Sequence, residues 1–514
     1  MCFEIAKYRP IWSDENYLFS ELALGDFFLS FTLFRMNNKL SRRKFLASVS
    51  ASTLVPRLFG TVTDVVAASQ GKARTDETVV IIGAGAAGLG AARKLKLAGV
   101  KVIVLEARDR IGGRVWTDRS LKNIPLDLGA SWIHGIEGNP LTALVRQYEI
   151  ETVSTDYDNV ALYDAQGTEF TDRQQDQLDT RYSRIMRRVR RQGERAQQQG
   201  RPDASLQSAI SAAIAENSWT AEERLQFDYL INTNLEHEFA ADADELSWFS
   251  WDEGEEIVGG DVLFPGGYGQ IFSRLAEGLD IRFGQMVQKI EYSESQVTVV
   301  TRQGSIVAQR LIVTVPLGVL KRGSIQFSPA LPERKQAAIQ RLGMGLLNKV
   351  FLHFPRVFWD RDSDLLGYIG PRKGEWAEWY NFFKFTGEPV LLGFNAATYA
   401  RRLEVLSNEA IVADAMTALR RMYGNSIPAP DGSTVTRWAS DPLSFGSYSF
   451  LAPGSSASDR DALAEPVSNR LFFAGEATFR DYPATVHGAL LSGEREAARI
   501  LSLAKPASRV LLSR

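Results

Sequence analysis

The chain has 514 residues, with 45% apolar and 23% charged content and a formal net charge of −2; this is ordinary for a globular protein of two or more domains with a sizeable core. Such a balance gives no global field for nucleic acid or an anionic membrane. The single cysteine, Cys2, excludes an internal disulfide framework, a cysteine metal cluster and a cysteine nucleophile in the body of the chain, and His134, His237, His353 and His487 are too scattered for a histidine-rich metal site.

Residues 1–35 contain YLFSELALGDFFLSFTLF, nearly long enough to span a bilayer. Glu21 and Asp26 interrupt it, and an acid near the bilayer centre costs about 2.5–3.5 kcal/mol. From Met36 the chain reads MNNKLSRRKFLASVSASTLV, with paired Arg42 and Arg43 followed by Phe45 and Leu46, a mildly apolar stretch and the small residues Val66, Ala67, Ala68 and Ser69. This resembles a twin-arginine export signal. It predicts an uncertain extension over 1–35 with Met36 as the initiator and an export signal over 36–69. A mature protein without a stable membrane span is then delivered by the bacterial twin-arginine machinery to the periplasm.

After a polar joint comes TVVIIGAGAAGLGAARKLKLAGVKVIVLEAR. Residues 79–82 predict a buried parallel strand, residues 91–97 carry helical periodicity, and residues 102–105 predict a second strand ending at Glu106. Gly83, Gly85 and Gly88 form GxGxxG between strand and helix. Such glycines let the backbone approach a pyrophosphate at the helix N-terminus, and an acid after the second strand can accept hydrogen bonds from ribose hydroxyls. GxGxxG alone is a weak signal; strand, glycines, helix, strand and acid in that order set it apart from a plain glycine loop.

That unit does not separate nicotinamide from flavin. The next stretch, RDRIGGRVWTDRSLKNIPLDLGASWIHG, adds Gly112, Gly113 and Arg114, then Gly129, Ala130, Ser131 and Trp132. With GGR directly after the acid, the chain resembles the FAD-dependent amine oxidases. The likeness continues in LFFAGEATFRDYPATVHGALLSGEREAARI near the C-terminus, runs from about Val79 to about Ile500, and is closest to polyamine oxidases.

The resemblance implies an α/β fold with a Rossmann-like FAD-binding domain built from three separated segments, 77–150, 261–324 and 470–503. A substrate-binding domain of mixed sheet and helices, α+β in character, is interleaved as 151–260 and 325–469, and 504–514 form a tail. FAD is then held by Gly83, Gly85, Ala86, Ala87, Gly88, Glu106, Ala107, Arg108, Gly113, Arg114, Gly129, Ala130, Ser131 and Trp132. Val287 packs against adenine, Trp438 lies beside the flavin, and Gly475, Glu476, Thr485 and Val486 complete the site. Ser447 stands where covalent members have cysteine, so the FAD is expected to be bound noncovalently.

The stretch LLNKVFLHFP puts Lys349 inside a run that reads as a buried strand, and burying an unpartnered ammonium costs several kcal/mol. Strand alternation alone admits an edge strand with Lys349 and His353 both facing water. By resemblance, Lys349 instead holds a water against flavin N5, which gives its amine a partner. Tyr448 matches one wall of an aromatic cage whose usual partner position is Thr485. His134 falls at the channel, and Glu238 with Phe239 matches an acidic-aromatic pair for remote amines. Lys349, Tyr448 and His134 are the expected catalytic residues, and no metal is implied. Asp242, Asp244 and Glu245 could focus polycations at the mouth. The basic run within 171–201 reads as a solvated helix face.

The expected activity is oxidation of spermidine or spermine at a carbon next to the secondary amine, with molecular oxygen as acceptor. The products are an aminoaldehyde, a smaller amine (with a lean to 1,3-diaminopropane) and hydrogen peroxide. An L-amino-acid oxidase on the same fold and a non-catalytic flavoprotein binding module stand as alternatives. A histone demethylase is disfavoured by the export signal and by the lack of a long helical insertion among the flavin segments.

Overall fold

The apolar run at 79–82 forms the strand Thr78–Ile82, in which Val79, Val80 and Ile81 are fully buried; burial of each such side chain contributes about 1.5–3 kcal/mol. In the computed structural model, which describes residues 77–215 and 218–503, this strand is the middle of a five-stranded sheet. The order across the sheet is Leu471–Phe473, Arg310–Val313, Thr78–Ile82, Lys101–Leu105 and Ile281–Arg282, and every pairing is parallel. Strands nearly 400 residues apart in the chain therefore meet in one parallel sheet with helices against it, an α/β arrangement.

Helix Ala86–Leu97 packs on this sheet and against the long helix Val486–Leu503. The two helices approach so closely that a Cβ at Gly493 would lie 1.9 Å from the Ala87 carbonyl oxygen. The C-terminal segment thus closes over the start of the glycine helix. A four-stranded sheet, ordered Gly304–Ala308, Val297–Thr301, Val287–Tyr292 and Gln326–Ser328, lies in the same part of the chain.

The second large sheet has six strands, ordered Gly432–Val435, Leu347–His353, Val390–Ala396, Glu378–Asn381, Leu365–Tyr368 and Val160–Tyr163. Its pairings are antiparallel except the last, which is parallel. One face packs Val350, Leu352, Trp379 and Leu391 against Ile411, Ala415 and Leu419 of helix Asn408–Tyr423. Alternation sends Leu347, Lys349, Phe394, Glu378, Tyr380 and Leu365 to the other face.

Leu347–His353 is paired on both sides, so it is not an edge strand, and Lys349 and His353 are buried. The basic run forms helix Asp172–Gln198, started by a Thr171–Gln174 capping box, and buries Leu178, Tyr182, Ile185, Met186 and Val189 on one face. The helix thus has one buried face beside the solvated one that the basic run predicts. Among the described residues, no helix is long and apolar enough to cross a membrane. The expected extension, export signal and tail lie outside the described residues.

Candidate functional site

A cavity of about 670 Å³ runs from the glycine loop after Thr78–Ile82 to the polar-and-aromatic face of the six-stranded sheet. Its glycine end is built from backbone. Gly83 has φ +103°, a conformation L side chains resist, and a Cβ there would lie 2.6 Å from Thr314 Oγ1. Helix Ala86–Leu97 starts at Gly85 without a side-chain cap and with no acid in its first turn. Ala86 and Ala87 line the cavity, so the uncapped amides and positive dipole end are available to an anion there.

Glu106 is 6% exposed; one carboxylate oxygen accepts the Ala84 N–H at 2.7 Å and the other the Arg108 N–H at 2.8 Å. Each oxygen keeps a lone pair for a further donor. Arg108 donates to both oxygens of Asp441 at 2.9 Å. Arg114 donates to the Ser447 carbonyl at 2.7 Å and to Glu476 Oε1 at 2.9 Å. Glu476 also accepts from Ser449 Oγ at 2.6 Å and Ala484 N at 3.2 Å. Burial pushes its carboxyl up, but Arg114, Ser449 and Arg460 together outweigh burial and hold it below the ordinary range.

These residues fit FAD. The glycine cradle and uncapped helix start suit a pyrophosphate, and Glu106 suits ribose hydroxyls. Gly475, with φ +133° and no atom within 4 Å of a Cβ built on it, leaves the wall open for a chain of hydroxyls. Ala107, Gly113, Gly129, Ala130, Ser131, Trp132, Val287, Trp438, Thr485 and Val486 all line the same cavity.

Gly88 and Phe239 of the expected set are not on the cavity wall. A Cβ at Gly88 would sit 1.9 Å from the Gly83 carbonyl oxygen, so this glycine seats the helix against the loop. Phe239 instead packs edge-on to Trp251 at 5.8 Å. Thr485 reaches the cavity, but its hydroxyl accepts from Gly488 N at 3.0 Å and donates to the Tyr482 carbonyl at 2.9 Å, which starts helix Val486–Leu503.

Lys349 is 3% exposed, and its Nζ bonds the Asp127 carbonyl at 2.9 Å, the Gly129 carbonyl at 2.5 Å and Ser131 Oγ at 2.6 Å. Protein oxygens therefore give the buried amine three partners. Burial pushes Lys349 below the ordinary lysine range and the nearby Asp127 carboxyl above the ordinary carboxylate range; each charge partly offsets the penalty on the other. The ring of Trp132 lies 5.5 Å and that of Phe394 5.9 Å from the Lys349 nitrogen.

Tyr448, His134 and Glu238 share this cavity with Lys349. The Tyr448 hydroxyl donates to the His237 carbonyl at 2.6 Å. His134 Nδ1 is 2.7 Å from Asp261 Oδ2, and Trp438 Nε1 donates to the Leu128 carbonyl at 3.0 Å. Asp242, Asp244 and Glu245 are off the cavity wall. Asp242 accepts from the Thr398 N–H at the start of helix Ala397–Glu404, and both it and Glu245 pair with Arg401.

Sequence reasoning missed His237, Glu378, Tyr380 and Phe394, which also line the cavity. Strand alternation in EWYN puts Glu378 and Tyr380 on one face, but only the register across three strands brings that face to Lys349.

An α/β fold whose glycine loop, acid and C-terminal helix frame one long cavity defines a dinucleotide-binding flavoprotein. The model of the flavin containing amine oxidoreductases matches residues 86–501, and the chain belongs to that family of flavoenzymes, with FAD as its cofactor. It is 40% identical over 446 residues to Lysine-specific histone demethylase 1 homolog 2 of Arabidopsis thaliana, covering 84% of this chain and 59% of the relative. The chain thus spans less than two thirds of that protein. It is 38% identical over 430 residues to Polyamine oxidase 2 of Arabidopsis thaliana, covering 81% of this chain and 86% of the relative. Among solved structures, putrescine oxidase bound to putrescine shares the fold with a TM-score of 0.68 at 22% identity, over 83% of this chain and 99% of that one.

These relatives overturn the expected localisation. Matches at 38–40% identity include plant histone demethylase homologues from Arabidopsis thaliana and Oryza sativa subsp. japonica and the Arabidopsis protein FLOWERING LOCUS D. They do not support a bacterial protein exported to the periplasm by the twin-arginine machinery. The argument that export disfavours a histone demethylase falls with it.

Proposed function

We propose that this chain is an FAD-dependent oxidase of free polyamines, with spermidine and spermine as substrates. The observation that carries the reading is that Lys349, Tyr448 and the carboxylate-bearing Glu238 line the same cavity as the FAD cradle. In this reading residues 77–150, 261–324 and 470–503 hold FAD noncovalently, and 151–260 with 325–469 form the substrate side.

FAD, when bound, supplies the two-electron acceptor that molecular oxygen restores. The protein's part is to orient the amine, favour its neutral form and limit bulk water. The faces of Tyr448, Tyr380 and Phe394 steer the amine. The oxygens around Lys349 suit both of its protonation states. A neutral amine donates to the carbonyls of Asp127 and Gly129 and accepts from the Ser131 hydroxyl; an ammonium donates to all three. Lys349 can therefore take up or return a proton without losing a bond. The substrate loses two electrons and two protons to become an imine, and water cleaves the imine to an aminoaldehyde and a smaller amine. The electrons and protons leave with oxygen as hydrogen peroxide.

A second reading, oxidation of a methylated lysine side chain in a peptide, is favoured by the 40% identity to the histone demethylase homologue. An L-amino-acid oxidase needs a cation for the substrate carboxylate, and Arg108 and Arg114 are engaged by Asp441 and Glu476. Anaerobic mixing of the holoenzyme with spermidine, spermine, a methyl-lysine peptide or L-amino acids decides among them. Flavin bleaching by free polyamines alone supports the proposal. Bleaching by the peptide alone selects the second reading, and no bleaching by any amine returns the chain to a flavoprotein binding module.

A further inference from the structure

Strand Trp132–His134 pairs antiparallel with Asp261–Leu263, and His134 stands directly opposite Asp261. Residues opposed in this way project to one face. The His134 imidazole is on the cavity wall with 37% of its side chain exposed, while Asp261, at 7%, lies behind it and off the wall. One Asp261 oxygen accepts the Gly135 N–H at 2.9 Å, and the other is 2.7 Å from His134 Nδ1. The Asn139 amide holds the same turn by donating to the His134 carbonyl at 3.3 Å and the Gly135 carbonyl at 2.9 Å. The ring is therefore set in place before any substrate arrives.

An ionised carboxylate only accepts hydrogen bonds, so the nitrogen beside it, Nδ1, carries the imidazole proton and Nε2 becomes the acceptor. Because Nδ1 is turned to the buried acid, the ring edge that the wall presents is the one bearing Nε2. His487, on helix Val486–Leu503, lies near both residues and also lines the cavity. Burial holds it neutral down to about pH 3, so the Asp261 charge is left to His134. An alkylamine, with a pKa near the lysine value of about 10.4, reaches such a wall protonated at neutral pH. Only its neutral nitrogen can release electrons to an acceptor.

We infer that Asp261 is a positioning residue that holds His134 as the Nδ1–H tautomer, so that His134 Nε2 takes the proton from the incoming substrate ammonium. The substrate N–H bond breaks, its electron pair stays on the substrate nitrogen, and Asp261 balances the imidazolium that forms. This rests on the amine-oxidase reading above and adds to it the acid behind the base. Asp261→Asn separates that role from a purely structural one. The residue is isosteric, and the Gly135 N–H claims its amide oxygen, so the amide nitrogen faces Nδ1 as a donor and drives the imidazole proton to Nε2. The packing survives the exchange, whereas the acceptor on the cavity wall does not.

Nitrogen NMR of holoenzyme with isotopically labelled histidine reads the tautomer without substrate, and His134→Gln identifies the signal. His134 should be protonated at Nδ1 in the wild type and at Nε2 in Asp261→Asn. Stopped-flow reduction of the bound FAD by spermidine should slow by about tenfold or more in Asp261→Asn. The same substitution should change the rate by less than about twofold when residue 134 is already Gln, because the acid acts only through the imidazole. A wild-type His134 protonated at Nε2 overturns the proposal without any variant. An unchanged rate in Asp261→Asn overturns it too, and so does an equal loss in both backgrounds, which would assign the acid to the fold alone. Failure of spermidine to reduce the wild-type flavin tells against the amine-oxidase reading, while the tautomer of the resting holoenzyme judges the His134–Asp261 pair by itself, so the two failures are distinguishable.

Discussion

Lys349 Nζ and Ser131 Oγ stand 2.6 Å apart inside the cavity, with the carbonyls of Asp127 and Gly129 completing the shell of the amine. Lys349→Met keeps the volume and removes the proton-exchanging group. It should slow flavin reduction or reoxidation by about tenfold or more while FAD stays bound. The pH dependence should report the same group. Because burial lowers Lys349, the neutral amine is present from near neutral pH upward, and the limb over which activity rises with pH should move in the variant. Stopped-flow traces with unchanged rates and an unchanged pH limb would remove the assigned role.

How Lys349 is satisfied was only half legible in the sequence. A lone lysine in LLNKVFLHFP marks a buried amine that needs a partner, and the family resemblance implies a place near flavin. The partners seen in the structure are carbonyls at 127 and 129 and a hydroxyl at 131, some 220 residues earlier in the chain. The glycine loop, Glu106 and the two strands around them were readable because their contacts are local. Glu378 and Phe394 were not, because their place depends on the register of three antiparallel strands. The acidic run after Glu238 shows the same dependence on distant residues: Arg401, far along the chain, pairs with two of its three acids, Asp242 and Glu245.

Glu476 ties Arg114, Ser449 and the Ala484 turn together at the edge of the cofactor cradle. Glu476→Gln leaves Arg114 without its carboxylate partner, and breaking a buried pair costs about 3–5 kcal/mol. Lowered thermal stability and loss of FAD on gel filtration are the expected outcomes. A variant that melts with the wild type and elutes with its full flavin complement contradicts the linking role.

Gly88 has no room for a methyl group, since a Cβ would meet the Gly83 carbonyl oxygen at 1.9 Å, a backbone atom that cannot rotate away. Gly88→Ala should push the helix off the loop, destabilise the fold by about 1–3 kcal/mol and weaken FAD retention. Leu97→Ala, at the exposed end of the same helix, serves as the comparison and should do neither. Equal flavin content in the two variants would show that the loop yields where the geometry says it cannot.

His487 gives the fold a pH dependence of definite sign. It is 4% exposed and stacks edge-on to Tyr482 at 5.1 Å. Burial, helped by nearby His134 and opposed by Asp261, pushes its imidazole down to about 3 from an ordinary value of 6.5. As pH falls below about 6.5 the unfolded chain takes up a proton that the folded protein refuses, so stability falls by about 1.4 kcal/mol per pH unit until about pH 3. Above about 6.5 neither state is protonated at this site and the contribution is flat. His487→Gln removes the titration, so denaturant melts of wild type and variant at a series of pH values isolate it from the carboxylates. The gap between the two curves should change by about 2–3 kcal/mol between neutral pH and about pH 4.5, with the wild type losing ground as acid is added. Parallel curves over that range would mean that His487 is protonated in the folded protein as readily as in the unfolded chain.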